Sequence, residues 1–191
     1  MTKANNIIEI RWHGRGGQGA VTSTELLAQA AISEGKFAQA FPSFGPERRG
    51  APVLSFDRIS SNSPIRIRAG IEQPGIVVVL DPSLLRIGNA TSGLKDGGTL
   101  VINTNRSLDE IATECGDSWK LAVIDANEIA RTILGVPIVN TTMIGALLKA
   151  TGLVKMESMI KPLEDRFGRL AERNINAMKK AYQDAQIKEL G

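Results

Sequence analysis

Cysteine and histidine each occur once in 191 residues, as Cys115 and His13. An iron–sulfur cluster takes about four thiolates, and a His/Cys zinc site needs several such ligands, so this chain alone can hold neither. A lone cysteine also excludes an internal disulfide, which agrees with a reducing, cytoplasmic setting. Aromatic residues make up only 4% of the chain, too few for a stacking platform along single-stranded nucleic acid, and no nucleic-acid partner is expected. No apolar run approaches the ~20 residues that cross a bilayer, so no membrane association is expected. Met1 to Asn6 lead straight into a short strand-like segment, and no secretory signal peptide is expected.

What is present is enough for one well-buried core. With 42% hydrophobic residues in 191, the expectation is a single domain over residues 1–191. The net charge of +3 is modest, but the arginines are unevenly placed. Arg11, Arg15, Arg48, Arg49, Arg58, Arg66 and Arg68 all fall in roughly the first third, with few acids among them. This is either a solvated basic face or a surface that receives an anionic ligand or acidic partner.

The stretch Trp12-His13-Gly14-Arg15-Gly16-Gly17-Gln18-Gly19 lies between the apolar run Ile7-Ile8-Glu9-Ile10 and a helical pattern beginning at Ala20. Glycines at a strand-to-helix junction leave backbone N–H groups bare, with the positive end of the helix dipole behind them. Gly14, Gly16 and Gly19 also satisfy the G-x-G-x-x-G spacing of dinucleotide-binding units. Such a unit needs an acidic residue at the end of the second strand to hold the ribose hydroxyls. The expected second strand, Phe37–Phe41, runs into Pro42 with no carboxylate before Glu47. The turn is therefore read as an anion or subunit contact rather than a nicotinamide site, with close helix-on-strand packing as the plainer alternative. His13 has no titratable group placed beside it by the sequence and is read as structural.

A helix is expected from Ala20 to about Gly35, with Ala20, Thr24, Leu27 and Ala31 on one face. Val53–Phe56 and the alternating Ile65-Arg66-Ile67-Arg68-Ala69 read as an antiparallel hairpin. Ile76–Leu80, Thr99–Asn103 and Leu121–Asp125 are continuous apolar runs of the kind buried on both faces in a parallel sheet. Helices are expected near 127–134, 141–151, 155–167 (interrupted at Pro162) and 169–189. The last carries a stripe of Ala171, Ile175, Met178, Tyr182 and Ala185, read as core or as a docking face. The fold class expected is α/β: a single domain with a mixed, mostly parallel sheet flanked by helices and a helical C-terminal region.

Between the second and third strands, residues 41–52 form a proline-stiffened loop with adjacent Arg48 and Arg49. Paired guanidinium forks suit phosphate or carboxylate. The alternative is that one arginine simply pairs with Glu47.

The combination W-H-G-R-G-G-Q-G-A-V-T at 12–22, E-G-K at 34–36, F-P-S-F-G-P-E-R-R-G-A-P at 41–52 and V-V-V-L-D-P at 77–82 closely resembles the gamma subunit of the 2-oxoacid:acceptor oxidoreductases, the pyruvate:ferredoxin oxidoreductase family. The resemblance is dense over 7–85 and looser to the C-terminus. It implies a multisubunit enzyme that oxidatively decarboxylates a 2-oxoacid with coenzyme A, giving an acyl-CoA, CO2 and a reduced acceptor. Pyruvate is the default substrate, with branched-chain or aryl 2-oxoacids such as phenylglyoxylate as alternatives. It also implies thiamine diphosphate, Mg2+ and [4Fe-4S] clusters in partner subunits and none held by this chain. The implied partners are alpha, beta and ferredoxin-like delta subunits, with ferredoxin or another electron acceptor taking the electrons. Lys95 precedes Asp96-Gly97-Gly98 and the expected asparagines do not follow, so the thiamine-diphosphate signature is missing here. No catalytic residue or metal ligand is assigned. The residues expected to meet coenzyme A or the subunits around it are Gly14, Arg15, Gly16, Gly17, Gln18, Gly19, Arg48 and Arg49. A self-contained dinucleotide-binding protein and a purely scaffolding subunit are the competing readings.

Overall fold

The structure is a computed structural model and describes residues 7–43, 50–67 and 69–190. Its strands are β1 (Ile7–Arg15), β2 (Phe37–Pro42), β3 (Pro52–Ser60), β4 (Ile76–Val79), β5 (Thr99–Asn103), β6 (Lys120–Ile124) and β7 (Gln186–Lys188). They form one seven-stranded sheet in the order β2-β3-β1-β4-β5-β6-β7. The pairs β1–β4, β4–β5 and β5–β6 are parallel, whereas β3 runs antiparallel to both neighbours and β7 antiparallel to β6. The sheet is therefore mixed, and by direction mostly parallel: β1, β2, β4, β5 and β6 run one way, β3 and β7 the other.

Two apolar layers cover it. On one face α1 (Ala20–Ser33), α5 (Asn140–Thr151), α6 (Ile160–Phe167) and α7 (Ala171–Asp184) pack on Ile10, Trp12, Val78, Leu80 and Val101. On the other, Leu84 of α2 (Leu84–Ile87) and Ile111 of α3 (Leu108–Cys115) close over Val77, Val79, Leu100 and Ile102. The alternate contribution of β4 and β5 residues to opposite layers is why those strands read as unbroken apolar runs. α4 (Ala126–Ile129) continues as one π-helical turn, Ala130–Leu134, before the chain enters α5. The α5–α7 crossing is so close that a Cβ added at Gly145 would fall inside the carbonyl of Met178.

Where β1 and β3 lack helical cover, buried cations take that role. Arg58 donates to Glu9 Oε1 (2.9 Å) and to the carbonyls of Ala69 (2.7 Å) and Gly70 (3.3 Å), and lies 5.2 Å from the Phe41 ring centre. Arg11 donates to the carbonyls of Ile71, Glu72, Ala90 and Ser92 and, through Nε, to His13 Nε2 at 2.9 Å.

Three expectations need correction. The hairpin of 53–56 with 65–69 does not form: β3 pairs with β1 and β2 instead. The carbonyls of Ile65 and Ala69 are taken by side chains, Gln39 Nε2 and Arg58 Nη2, so this segment lies over the sheet rather than joining it. Arg68 lies outside the described residues. Pro162 does not interrupt a helix, because it sits in the first turn of α6, where the missing N–H has no intrahelical acceptor to lose. The C-terminal helix ends at Asp184, after which Ala185 turns extended and the chain adds β7 to the sheet. The docking stripe resolves into core at Ala171 and Met178, while Tyr182 is exposed.

Candidate functional site

After β1 the chain leaves through α1 toward β2 and β3; after β4 it leaves through α2 toward β5. These two helices lie on opposite faces of the sheet. The carboxyl ends of β1 and β4 therefore flank a topological switch point, where the divergence of the two connections opens a crevice that ligands of α/β sheets occupy. The glycine turn 14–19 forms one wall of that crevice and residues 80–83 the other.

The turn is held by its own side chains. Gln18 Oε1 accepts from the Arg15 N–H at 2.7 Å, and the Gln18 N–H donates to the Arg15 carbonyl at 3.0 Å. Arg15 reaches across the crevice, Nε to Asp81 Oδ2 (3.0 Å), Nη2 to Ser83 Oγ (2.8 Å) and Nη1 to the Gly50 carbonyl (3.0 Å). Burial works against the Asp81 carboxylate, but hydrogen bonds from Ser83 Oγ–H and N–H, together with Arg15, outweigh it and hold its pKa below the usual range. Asp81 thus stays ionised and keeps Arg15 engaged. Gly16 pairs with the far end of the proline-rich loop through its N–H to the Ala51 carbonyl at 2.9 Å. Arg48 and Arg49 lie outside the described residues.

The glycines divide by task. A Cβ at Gly14 would stand 3.3 Å from Ala20 Cβ, which is helix-on-strand packing. Gly17 and Gly19 have φ of 97° and 83°, in the left-handed region that favours glycine. A Cβ at Gly19 would also lie 2.8 Å from Asn140 Nδ2.

Behind Gly19, the first N–H groups of α1, on Ala20, Val21 and Thr22, have no intrahelical acceptor. No side chain caps them and no acid stands in the first turn. α3 carries a full Ser107–Glu110 capping box and Asp125 caps α4, whereas α2, α5, α6 and α7, like α1, have no side-chain cap. Two further groups converge on the bare end. Asn140 is only 4% exposed; its Oδ1 accepts from the Thr141 N–H, and its Nδ2 has no partner among the described residues. Arg166 Nη2 donates to Thr22 Oγ1 at 3.4 Å, which brings a cation beside the same turn. The helix N–H groups, the Asn140 Nδ2 donor and the Arg166 guanidinium all present positive charge or dipole ends on this side of the turn.

Asp81, Ser83, Asn140 and Arg166 were not singled out from the sequence as site residues. Asp81-Pro82 marks a strand end, yet nothing local signals that its carboxylate meets Arg15. Asn140 comes from α5, and only the tertiary fold brings it to Gly19. His13 is buried. Burial, and then the charge of Arg11, push its pKa down to about 4, and its Nε2 lone pair is taken by Arg11, so it offers no base near neutrality.

A nicotinamide reading has no place to stand in this topology. The strand beside β1 on that side is the antiparallel β3, not the strand that follows α1. The end of β2 is Phe41-Pro42, without an acid for a ribose. Among the described residues, no group of three or more His, Cys, Asp or Glu side chains is arranged to hold a metal ion, and no helix is long and apolar enough to cross a membrane.

The fold is an α/β domain with a glycine turn at its switch point. The family model for pyruvate ferredoxin/flavodoxin oxidoreductase matches residues 9–184. The chain is 53% identical to the Pyruvate/ketoisovalerate oxidoreductases common subunit gamma of Pyrococcus furiosus, over 96% of this chain and 100% of that one. It is 48% identical to the Pyruvate synthase subunit PorC of Methanothermobacter thermautotrophicus, over 94% and 97% of the two. The crystal structure of pyruvate oxidoreductase subunit PORC from Thermotoga maritima matches with a TM-score of 0.84 and 37% identity, covering 96% of this chain and 99% of that one. The chain therefore belongs to the pyruvate ferredoxin/flavodoxin oxidoreductase family, and these relatives are subunits of 2-oxoacid oxidoreductases.

Proposed function

We propose that the chain is the gamma subunit of a cytoplasmic, multisubunit 2-oxoacid oxidoreductase and that its glycine turn receives a phosphate of coenzyme A. The reaction is that of a 2-oxoacid, coenzyme A and an oxidised acceptor giving acyl-CoA, CO2 and an acceptor carrying two more electrons. Pyruvate is the first substrate to test, with branched-chain and aryl 2-oxoacids after it, and ferredoxin is the first acceptor. Thiamine diphosphate with Mg2+ and the [4Fe-4S] clusters belong on alpha, beta and delta partner subunits. That assignment suits a chain with one cysteine and one histidine. When bound there, they supply the decarboxylation and electron transfer.

This chain's own contribution is to bind and orient. The N–H groups of Ala20, Val21 and Thr22 and Asn140 Nδ2 donate to the phosphate. Arg15, Asp81 and Gln18 fix the turn, so that no reorganisation is needed on binding. Arg48 and Arg49 add positive charge from the loop whose far end pairs with Gly16 through Gly50 and Ala51. The observation that carries the reading is the uncapped start of α1 at the switch point with the unpartnered amide of Asn140 against it.

Kinetics of the assembled enzyme test it. Changing Arg48 and Arg49 together to Ala is expected to raise the KM for coenzyme A with little change in the KM for the 2-oxoacid. Asn140→Asp, which sets a carboxylate where a donor stood, is expected to raise the same KM by about tenfold or more, the worth of one charge-assisted hydrogen bond. Unchanged kinetics in an intact complex would favour a scaffolding role. The internal saturation of Arg15 and the packing duty of Gly14 are the observations on that side.

A further inference from the structure

The two edges of the sheet are built differently. β7 is three residues long and charged: Lys188 pairs with Asp117 (2.6 Å), and Glu189 just beyond it with Lys120 (2.7 Å). Short length and charge are the usual guards against edge pairing. β2, Phe37-Ala38-Gln39-Ala40-Phe41-Pro42, is six residues long and carries no charge. The cation next to it, Lys36, is occupied with Glu34 at 2.8 Å and with the Leu153 carbonyl.

The direction of its free groups is set. Ser43 N–H donates to the Leu54 carbonyl of β3 at 2.9 Å, so Phe41, Gln39 and Phe37 point their backbone groups at β3. Strand alternation then turns those of Ala38 and Ala40 outward. Among the described residues nothing pairs with them. Pro42, also outward, has no N–H to offer and marks the end of the usable edge.

We infer that this edge pairs antiparallel with β2 of a second copy of the chain, about a two-fold axis at Gln39. That register sets Ala38 opposite the second copy's Ala40, and Ala40 opposite its Ala38. Both outward residues then exchange their N–H and carbonyl groups in full. It also sets Phe37, which is 41% exposed, opposite the second copy's Phe41, giving aromatic cross-strand pairs on one face. A pivot on Ala40 would oppose Phe37 to Ser43 and Ala38 to a proline without an N–H. With no charge on the strand, self-pairing meets no like-charge penalty. Self-complementarity of this kind is what an isologous interface requires. The inference is independent of the coenzyme A reading.

Sedimentation equilibrium of the full-length chain tests it, with a concentration-dependent dimer expected. Phe37→Lys is expected to weaken the dimer about tenfold, through two lost aromatic pairs, with an unchanged thermal melt because Phe37 is half exposed. In a Cys115→Ser background, Gln39→Cys is expected to form an interchain disulfide. Gln39 faces its own counterpart in a pair with Cα atoms about 4.5 Å apart, within disulfide reach. Ala38→Cys, whose counterpart stands two positions away, is not expected to cross-link. A chain that stays monomeric and gives no Gln39→Cys cross-link, alone and in the complex, overturns the inference. So does amide-exchange protection of Ala38 and Ala40 that arises only when other subunits bind, which would give the edge to them.

Discussion

On β1, successive side chains face different worlds: Trp12 points into the core beneath α1 and bonds the carboxyl of Asp57 at 2.8 Å, while Arg11 and His13 lie under the opposite face. Burial raises the Asp57 pKa well above its ordinary value, against the lowering effect of the Trp12 hydrogen bond. For His13 the shift is opposite in kind, since burial favours its neutral form. Its folded pKa of about 4 lies below an unfolded value of 6.5. The stability this gives is full above pH 6.5 and is lost progressively as the pH falls toward 4, about 3 kcal/mol in all. Because the chain has a single histidine, proton NMR of its imidazole reads this directly. No titration is expected between pH 7 and 5, and a midpoint near 6.5 would contradict the buried Arg11–His13 arrangement.

The same scale shows why the site was only half legible. The glycine turn is local, and its spacing and flanking patterns are written in consecutive residues. Asp81, Asn140 and Arg166 come from other elements, and no periodicity links them to residues 14–19. The expectation that the turn's side chains would meet a ligand also looked past their mutual bonds: Arg15 and Gln18 spend their polar atoms on Asp81, Ser83 and each other.

At the scale of elements, patterns of burial were legible and pairing partners were not. The apolar runs at β4, β5 and β6 announced buried parallel strands because both of their faces lie in core. The alternating 65–69 segment announced a strand that does not exist, because alternation records one wet and one dry side, not where the backbone finds its hydrogen bonds. Gln39 and Arg58 supply those bonds from elsewhere. The small-residue composition of α5 had a use visible only after folding, the close approach to α7 at Gly145. Gly145→Ala is therefore expected to push the two helices apart and to destabilise the chain by about 1–3 kcal/mol, the usual range for overpacking. Denaturant unfolding checks this, and an unchanged midpoint would mean that the crossing is looser than described.

At the scale of the molecule, the protein is a well-packed body whose described residues hold no group of three or more His, Cys, Asp or Glu side chains arranged for a metal ion. The sole histidine is buried and neutral, and the thiol of Cys115 is pushed up by burial and by Glu114. Its relatives are named as subunits of larger oxidoreductases. The most direct test is turnover of pyruvate with coenzyme A and an electron acceptor, measured for the purified chain alone and again after its co-purifying subunits are restored. The account predicts no acyl-CoA from the chain alone and acyl-CoA with CO2 from the reconstituted complex. Oxidative decarboxylation by the solitary chain would contradict it.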